Sequence, residues 1–112
     1  MVTSQVELER KVDDFVRRLQ ARIRLEAVIL YGSYAKGTAN ESSDIDIAVI
    51  SPDFEGLSTW DRQETIARAT VGRAYRLAPI GFPSSEYHNP GPHSFLREII
   101  RTGRLVYQAA GG

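Results

Sequence analysis

Two short clusters of residues carry the types and spacing that could do chemistry. The first is Gly32-Ser33, placed directly after the apolar run Ala27–Tyr31. A glycine there lets the backbone come close to a ligand. Ser33 supplies an N–H and a hydroxyl suited to a phosphate oxygen. If residues 34–38 coil into a short helix, its N-terminus faces the same ligand and favours an anion. Lys36 adds a local positive charge. The second cluster is Asp44-Ile45-Asp46. Side chains two apart on a strand share a face. A strand over Asp44–Ile50 therefore puts both carboxylates on one face and Ile45, Ile47 and Val49 on the other. Two carboxylates this close raise each other's pKa unless a cation sits between them. With water and a phosphate they are a typical seat for Mg²⁺.

Taken singly, each cluster has an ordinary reading: a strand-to-helix turn, and an acidic, solvated strand edge. Together they place a phosphate cradle and a metal-binding acid pair at the ends of neighbouring strands. Metal-assisted phosphoryl or nucleotidyl transfer needs a fixed triphosphate, Mg²⁺ bridging its oxygens and an in-line nucleophile.

Gly32-Ser33, the spacer 34–43 and Asp44-Ile45-Asp46 resemble the signature of the polymerase-β-like nucleotidyltransferase superfamily. The fuller string Gly-Ser-Tyr-Ala-Lys-Gly-Thr followed by Ser-Asp-Ile-Asp-Ile is similar to its minimal branch, the MNT proteins. The closing run Ile100-Arg101-Thr102-Gly103-Arg104-Leu105-Val106-Tyr107 is also typical of that branch. The resemblance implies that Gly32 and Ser33, with Lys36, bind the nucleotide. It implies that Asp44 and Asp46 hold Mg²⁺, with Mn²⁺ able to substitute, and are the catalytic pair. It further implies ATP or another NTP as substrate, and transfer of NMP, AMP from ATP first of all, to a hydroxyl. The implied partner is a HEPN-domain protein, with this chain as the antitoxin half of a toxin-antitoxin pair.

The chain departs from the family pattern at one place. A third carboxylate belongs on a later strand, and the corresponding segment reads Leu77-Ala78-Pro79-Ile80-Gly81-Phe82, with no acid. Matching Pro79-Ile80-Gly81-Phe82 to the family's run puts Ala78 at the acidic position, with Gly81 as a second match. Glu86 is the nearest acid downstream and reads as a solvated loop residue. A general base contributes roughly 10²–10⁴-fold in rate. Its loss leaves the cradle and two aspartates in place, so the alternative is a nucleotide-binding antitoxin or interaction module with impaired catalysis. A sugar-nucleotide transferase using the Asp-x-Asp pair leaves the Gly-Ser spacing unexplained.

The elements that must position these residues follow from periodicity. Residues 4–24 predict an amphipathic helix with Val12, Phe15, Val16, Leu19 and Ile23 on one stripe. Ala27–Tyr31 and Asp44–Ile50 predict strands. Ser58, followed by Asp61, resembles a capping box opening a helix to about Arg73, with Trp60, Ala67 and Val71 inward. Leu77–Phe82 predicts an edge strand, since it carries Pro79. Ser84–Pro92 predicts a loop, and His93–Thr102 a helix with Phe95, Leu96, Ile99 and Ile100 inward and Gly103 past its end. Leu105–Tyr107 predicts a short extended piece. The fold class is thus α/β of the α+β type. The resemblance implies that these elements form a nucleotidyltransferase-like small mixed β-sheet with flanking helices, order α-β-β-α-β-α before the final extended piece. His88 and His93 read as loop and helix-start residues, and Trp60 as core or partner-facing. Tyr31 and Tyr34 bracket the cradle: one could touch the nucleotide, and Tyr34 could equally cover the loop.

Composition sets the outer bounds. The 112 residues are 25% charged, and their apolar share with Gly counted and Tyr left out is about 46%, within the globular range; they predict a single domain over 1–112. Basic and acidic residues balance at 14 each, which argues against bulk nucleic-acid binding. No cysteine is present, so thiolate metal sites and disulfides are excluded. The longest apolar runs are far short of the ~20 residues a spanning helix needs. Met1–Arg24 is dense in charge and lacks the apolar core of a secretory signal, so a cytoplasmic location is expected. The small size leaves room for a homo- or hetero-oligomer.

Overall fold

The computed structural model describes residues 4–40, 42–70 and 77–110. Ser4 opens helix α1 (Gln5–Gln20) by accepting a hydrogen bond from the Glu7 N–H. The helix buries Leu8, Val12, Phe15, Val16 and Leu19. It ends before the predicted limit, and Ile23 packs on the core from the loop that follows. Strand β1 (Ala27–Tyr31) leads through Gly32 into a single helical turn, α2 (Ser33–Lys36). Strand β2 (Ile45–Ser51) is followed by a 3₁₀ turn (Pro52–Phe54) and α3 (Thr59–Ala69), capped by Ser58 on the Asp61 N–H. Then come β3 (Leu77–Pro83), α4 (Ser84–His88), α5 (Phe95–Thr102) and β4 (Arg104–Gln108).

The four strands form one mixed sheet in the order β3-β2-β1-β4. β1 runs antiparallel to β2 and β4, and β2 runs parallel to β3. The sheet has a core on each face, because successive strand residues alternate between them. Ile45, Ile47, Val49, Val28 and Leu30 meet α1 and α3 on one side. Ala48, Ile50, Ala27, Ile29 and Phe82 meet Leu96 and Ile99 of α5 on the other. By the same alternation Asp46 and Tyr31 belong to the α5 face.

Four expectations are corrected. Residues 84–88, read as loop, form α4; Glu86 is therefore helical. Pro83 stands at its N-cap, and the Glu55 carboxylate holds the Ser85 hydroxyl at 2.6 Å. The inner face of α3 is Ile66 and Ala69, while Trp60 (78% exposed) and Ala67 face outward. The reason is polar: Gln63 donates to the Pro79 carbonyl at 2.9 Å and accepts from the Gly81 N–H at 3.3 Å. Arg62 donates to the Leu57 carbonyl at 3.0 Å. The face of α3 that meets the edge strand must supply hydrogen-bonding groups, so hydropathy misplaces it. Val71 lies outside the described residues. In α5 only Leu96 and Ile99 are buried, and Phe95 and Ile100 flank that stripe in the open. Finally, β2 starts at Ile45, so Asp44 sits in the lead-in rather than on the strand.

Gly103 closes α5 with extended backbone (φ −86°). A Cβ there would lie 2.7 Å from Ile29 Cγ2 and 2.8 Å from the Leu30 carbonyl oxygen. The glycine is required for space, where the chain passes over β1 into β4.

Candidate nucleotide site

The site is built where β1 ends and β2 begins. The antiparallel register sets Tyr31 opposite Asp46. The residue after Tyr31 is Gly32, whose φ of +73° only glycine adopts without strain. A Cβ on Gly32 would overlap Asp46 Oδ2 and stand 3.1 Å from its Cγ. The backbone of the Gly-Ser turn therefore lies directly against the Asp46 carboxylate. Ser33 opens α2, whose Ala35 and Lys36 N–H groups both return to the Gly32 carbonyl at 3.1 Å.

Asp46 is partly buried, and burial first, then the charge of Asp44, raises its pKa. Asp44 precedes the strand by one residue and stands two positions before Asp46 in sequence. The Tyr31 hydroxyl is pushed up as well, by burial and then by Asp46. Tyr31 also meets Phe95 edge to face, ring centroids 5.7 Å apart and planes at 85°.

In the parallel pairing of β2 with β3, the partner of Asp46 is Ala78. Paired residues share a face, so Tyr31, Asp46 and Ala78 form a row across three strands. Gly81 pairs with Val49 on the opposite face, where an added Cβ would meet Phe54 Cε2 at 2.8 Å. Of the two sequence matches for the absent acid, only position 78 stands beside Asp46. Glu86 follows Pro83, which pairs with Ser51 at the other end of β2. No group of three or more metal-ligating side chains occurs among the described residues.

Lys36 lies exposed at the end of α2, and its charge helps hold the Glu98 carboxyl below the usual range, after the stronger effect of Arg101. It adds positive charge beside the Gly-Ser turn. His88 is far from this site, 2.5 Å from Glu26 just before β1. Trp60 lies on α3, across the sheet. A cleft of about 380 Å³ lined by Leu8, Val12, Leu30 and Arg104 is also on the α1 side and holds none of the site residues.

The model of the nucleotidyltransferase domain family matches residues 9–87, and the chain belongs to that family. A protein of Methanocaldococcus jannaschii, provisionally named a protein adenylyltransferase, is 30% identical over 103 residues, covering 88% of this chain and 97% of its own length. The crystal structure of a provisionally assigned nucleotidyltransferase from Sulfolobus solfataricus superposes with a TM-score of 0.74 at 19% identity, covering 96% of this chain and 86% of that one. A chain of a toxin-antitoxin crystal structure with AMP-PNP superposes with a TM-score of 0.56 at 22% identity, covering 91% and 74%. At these identities the two structures establish the fold: a four-stranded mixed sheet flanked by helices. No helix among the described residues is long and apolar enough to cross a membrane.

Proposed function

We propose that this chain transfers AMP from MgATP to a hydroxyl on a protein acceptor, as the antitoxin half of a pair with a HEPN-type partner in the cytoplasm. The observation that carries the reading is the contact of the Gly32 backbone with the Asp46 carboxylate. It brings the Gly-Ser turn and one carboxylate of the Asp44–Asp46 segment to one place. Gly32, Ser33 and Lys36 bind the triphosphate. Asp44 and Asp46 fit a divalent cation, since Mg²⁺ is commonly held by one or two carboxylates together with substrate phosphates. When bound, Mg²⁺ (or Mn²⁺) would offset the developing phosphate charge. The named relative supports AMP as the group moved, and the toxin-antitoxin structure supports a protein partner. The chain's own groups fix the triphosphate and leave the acceptor side, over Ala78, open.

The test uses ATP labelled in its α-phosphate and the partner protein. The wild type labels the partner and Asp46→Asn does not; equal labelling, or none by either, refutes transfer by this site.

The Asp46–Ala78 register favours a second reading, in which the chain binds nucleotide and partner but has lost its base. Ala78→Asp then gains about 10²-fold or more in transfer rate. Transfer by the wild type at a rate that Ala78→Asp does not improve rules this reading out.

A further inference from the structure

The candidate site has an aromatic rim that the reading above leaves unused. Phe95 opens α5, yet it is 55% exposed although its helix buries Leu96 and Ile99. Its ring meets Tyr31 edge to face, centroids 5.7 Å apart. Tyr31 in turn stands opposite Asp46 in the strand register. An open aromatic surface thus stands one side chain away from the carboxylate that the Gly-Ser turn touches. Trp60 is more exposed, at 78%, but α3 packs on the other face of the sheet.

Resting on the nucleotidyl-transfer reading, we propose that Phe95, backed by Tyr31, is the stacking platform for the nucleobase of the bound NTP. The row Tyr31–Asp46–Ala78 sets the direction. The leaving phosphates lie at the β1 end, where Gly32 and Ser33 are. Attacking and leaving oxygens are roughly in line in phosphoryl transfer, so the acceptor enters over Ala78 on β3. Phe95 is on the β1 side of Asp46 and flanks the nucleotide rather than the acceptor. Every nucleobase has a π-face, so such a platform contributes affinity without choosing the base. Tyr31 restricts the Phe95 ring from one side, which lowers the ordering needed when a base arrives.

Calorimetry with two probes, MgATP and Mg-tripolyphosphate, separates the base from the phosphates. Phe95→Ala weakens MgATP about 5- to 150-fold, the range expected for one stacked base, and leaves tripolyphosphate binding unchanged. Phe95→Trp restores or tightens MgATP binding, again without effect on tripolyphosphate. MgGTP follows the same pattern. Phe95→Ala binding MgATP as the wild type does, or losing both probes equally, overturns the platform while the phosphate site stands. Wild-type protein that binds neither probe, or an Asp46→Asn variant that binds both unchanged, removes the site itself and the platform with it.

Discussion

Gly32 is the residue at which backbone geometry and site chemistry cannot be separated. Its positive φ lets the chain turn out of β1, and its missing side chain leaves the room that the Asp46 carboxylate occupies. Gly32→Ala meets both restrictions at once and is expected to cost about 1–3 kcal/mol from the backbone alone. A lower urea midpoint at unchanged slope is the expected signature. Asp46 works against stability in the absence of ligand, because its folded-state pKa is raised by burial and by Asp44. The unfolded chain therefore ionises this group more readily. At neutral pH the ionised form lowers stability, and that cost fades as pH falls through the carboxyl range. Asp46→Asn raises Tm at pH 7 without metal, and the gain shrinks toward pH 3; a Tm equal to or below wild type at pH 7 contradicts this. That the Gly-Ser turn would meet Asp46 was legible in the sequence, because the turn leaves one apolar strand and the aspartate enters the next. Which of Ala78 and Gly81 stands beside Asp46 was not, since both lie on one strand and only the register with β2 separates their faces.

At the scale of elements, the edge strand β3 illustrates what hydropathy leaves out. Pro79 and Pro83 lack N–H groups, and Gln63 occupies the Gly81 N–H and the Pro79 carbonyl. The outer edge of β3 is thereby closed to a further strand, a common device against edge pairing. Gln63→Ala leaves both backbone groups without this partner and is expected to cost about 1–3 kcal/mol, read by thermal melting with the fold checked by circular dichroism. Arg24 and Asp53 tie the entry of β1 to the 3₁₀ turn after β2, through the Arg24 N–H at 2.8 Å and its guanidinium at 2.7 Å. Those bonds hold the Asp53 carboxyl below its usual pKa, the backbone N–H contributing first. The stability they add is present above the unfolded carboxylate range and is lost as pH falls through the depressed folded value. Asp53→Asn lowers Tm at pH 7, and the difference from wild type closes toward pH 2. Strands β1 and β3 were legible because their apolar runs are short and bounded by Gly, Ser or Pro. The helix α4 was not: five residues give no period, and its fixing contact comes from Glu55 in a distant loop.

In the whole molecule the two faces of the sheet have different duties. The α1 and α3 side carries Phe15, Leu19, Phe54 and Ile66, all essentially inaccessible. The α4 and α5 side covers the sheet less completely, and the end holding Tyr31, Asp46 and Ala78 is where the partly exposed residues collect. Sequence periodicity could divide strand residues into two sets. It could not say which set α3 and α5 would cover, because α3 presents polar groups inward and α5 buries only two side chains. This division has a consequence for ligand linkage. A ligand that binds only the folded chain stabilises it by RT ln(1 + [L]/Kd), about 2.7 kcal/mol at a hundred times Kd. For a domain of this size that is a Tm rise of roughly 10 °C or more. MgATP is expected to produce that rise in the wild type and in Ala78→Asp, since neither changes the phosphate cradle. It should fail to do so in Asp46→Asn, where one of the two carboxylates is gone while the thick core on the opposite face keeps the chain folded. A melting curve for Asp46→Asn that moves with MgATP as far as the wild type's would mean that the nucleotide binds elsewhere. The α1-side cleft beside Arg104 would then be the place to look.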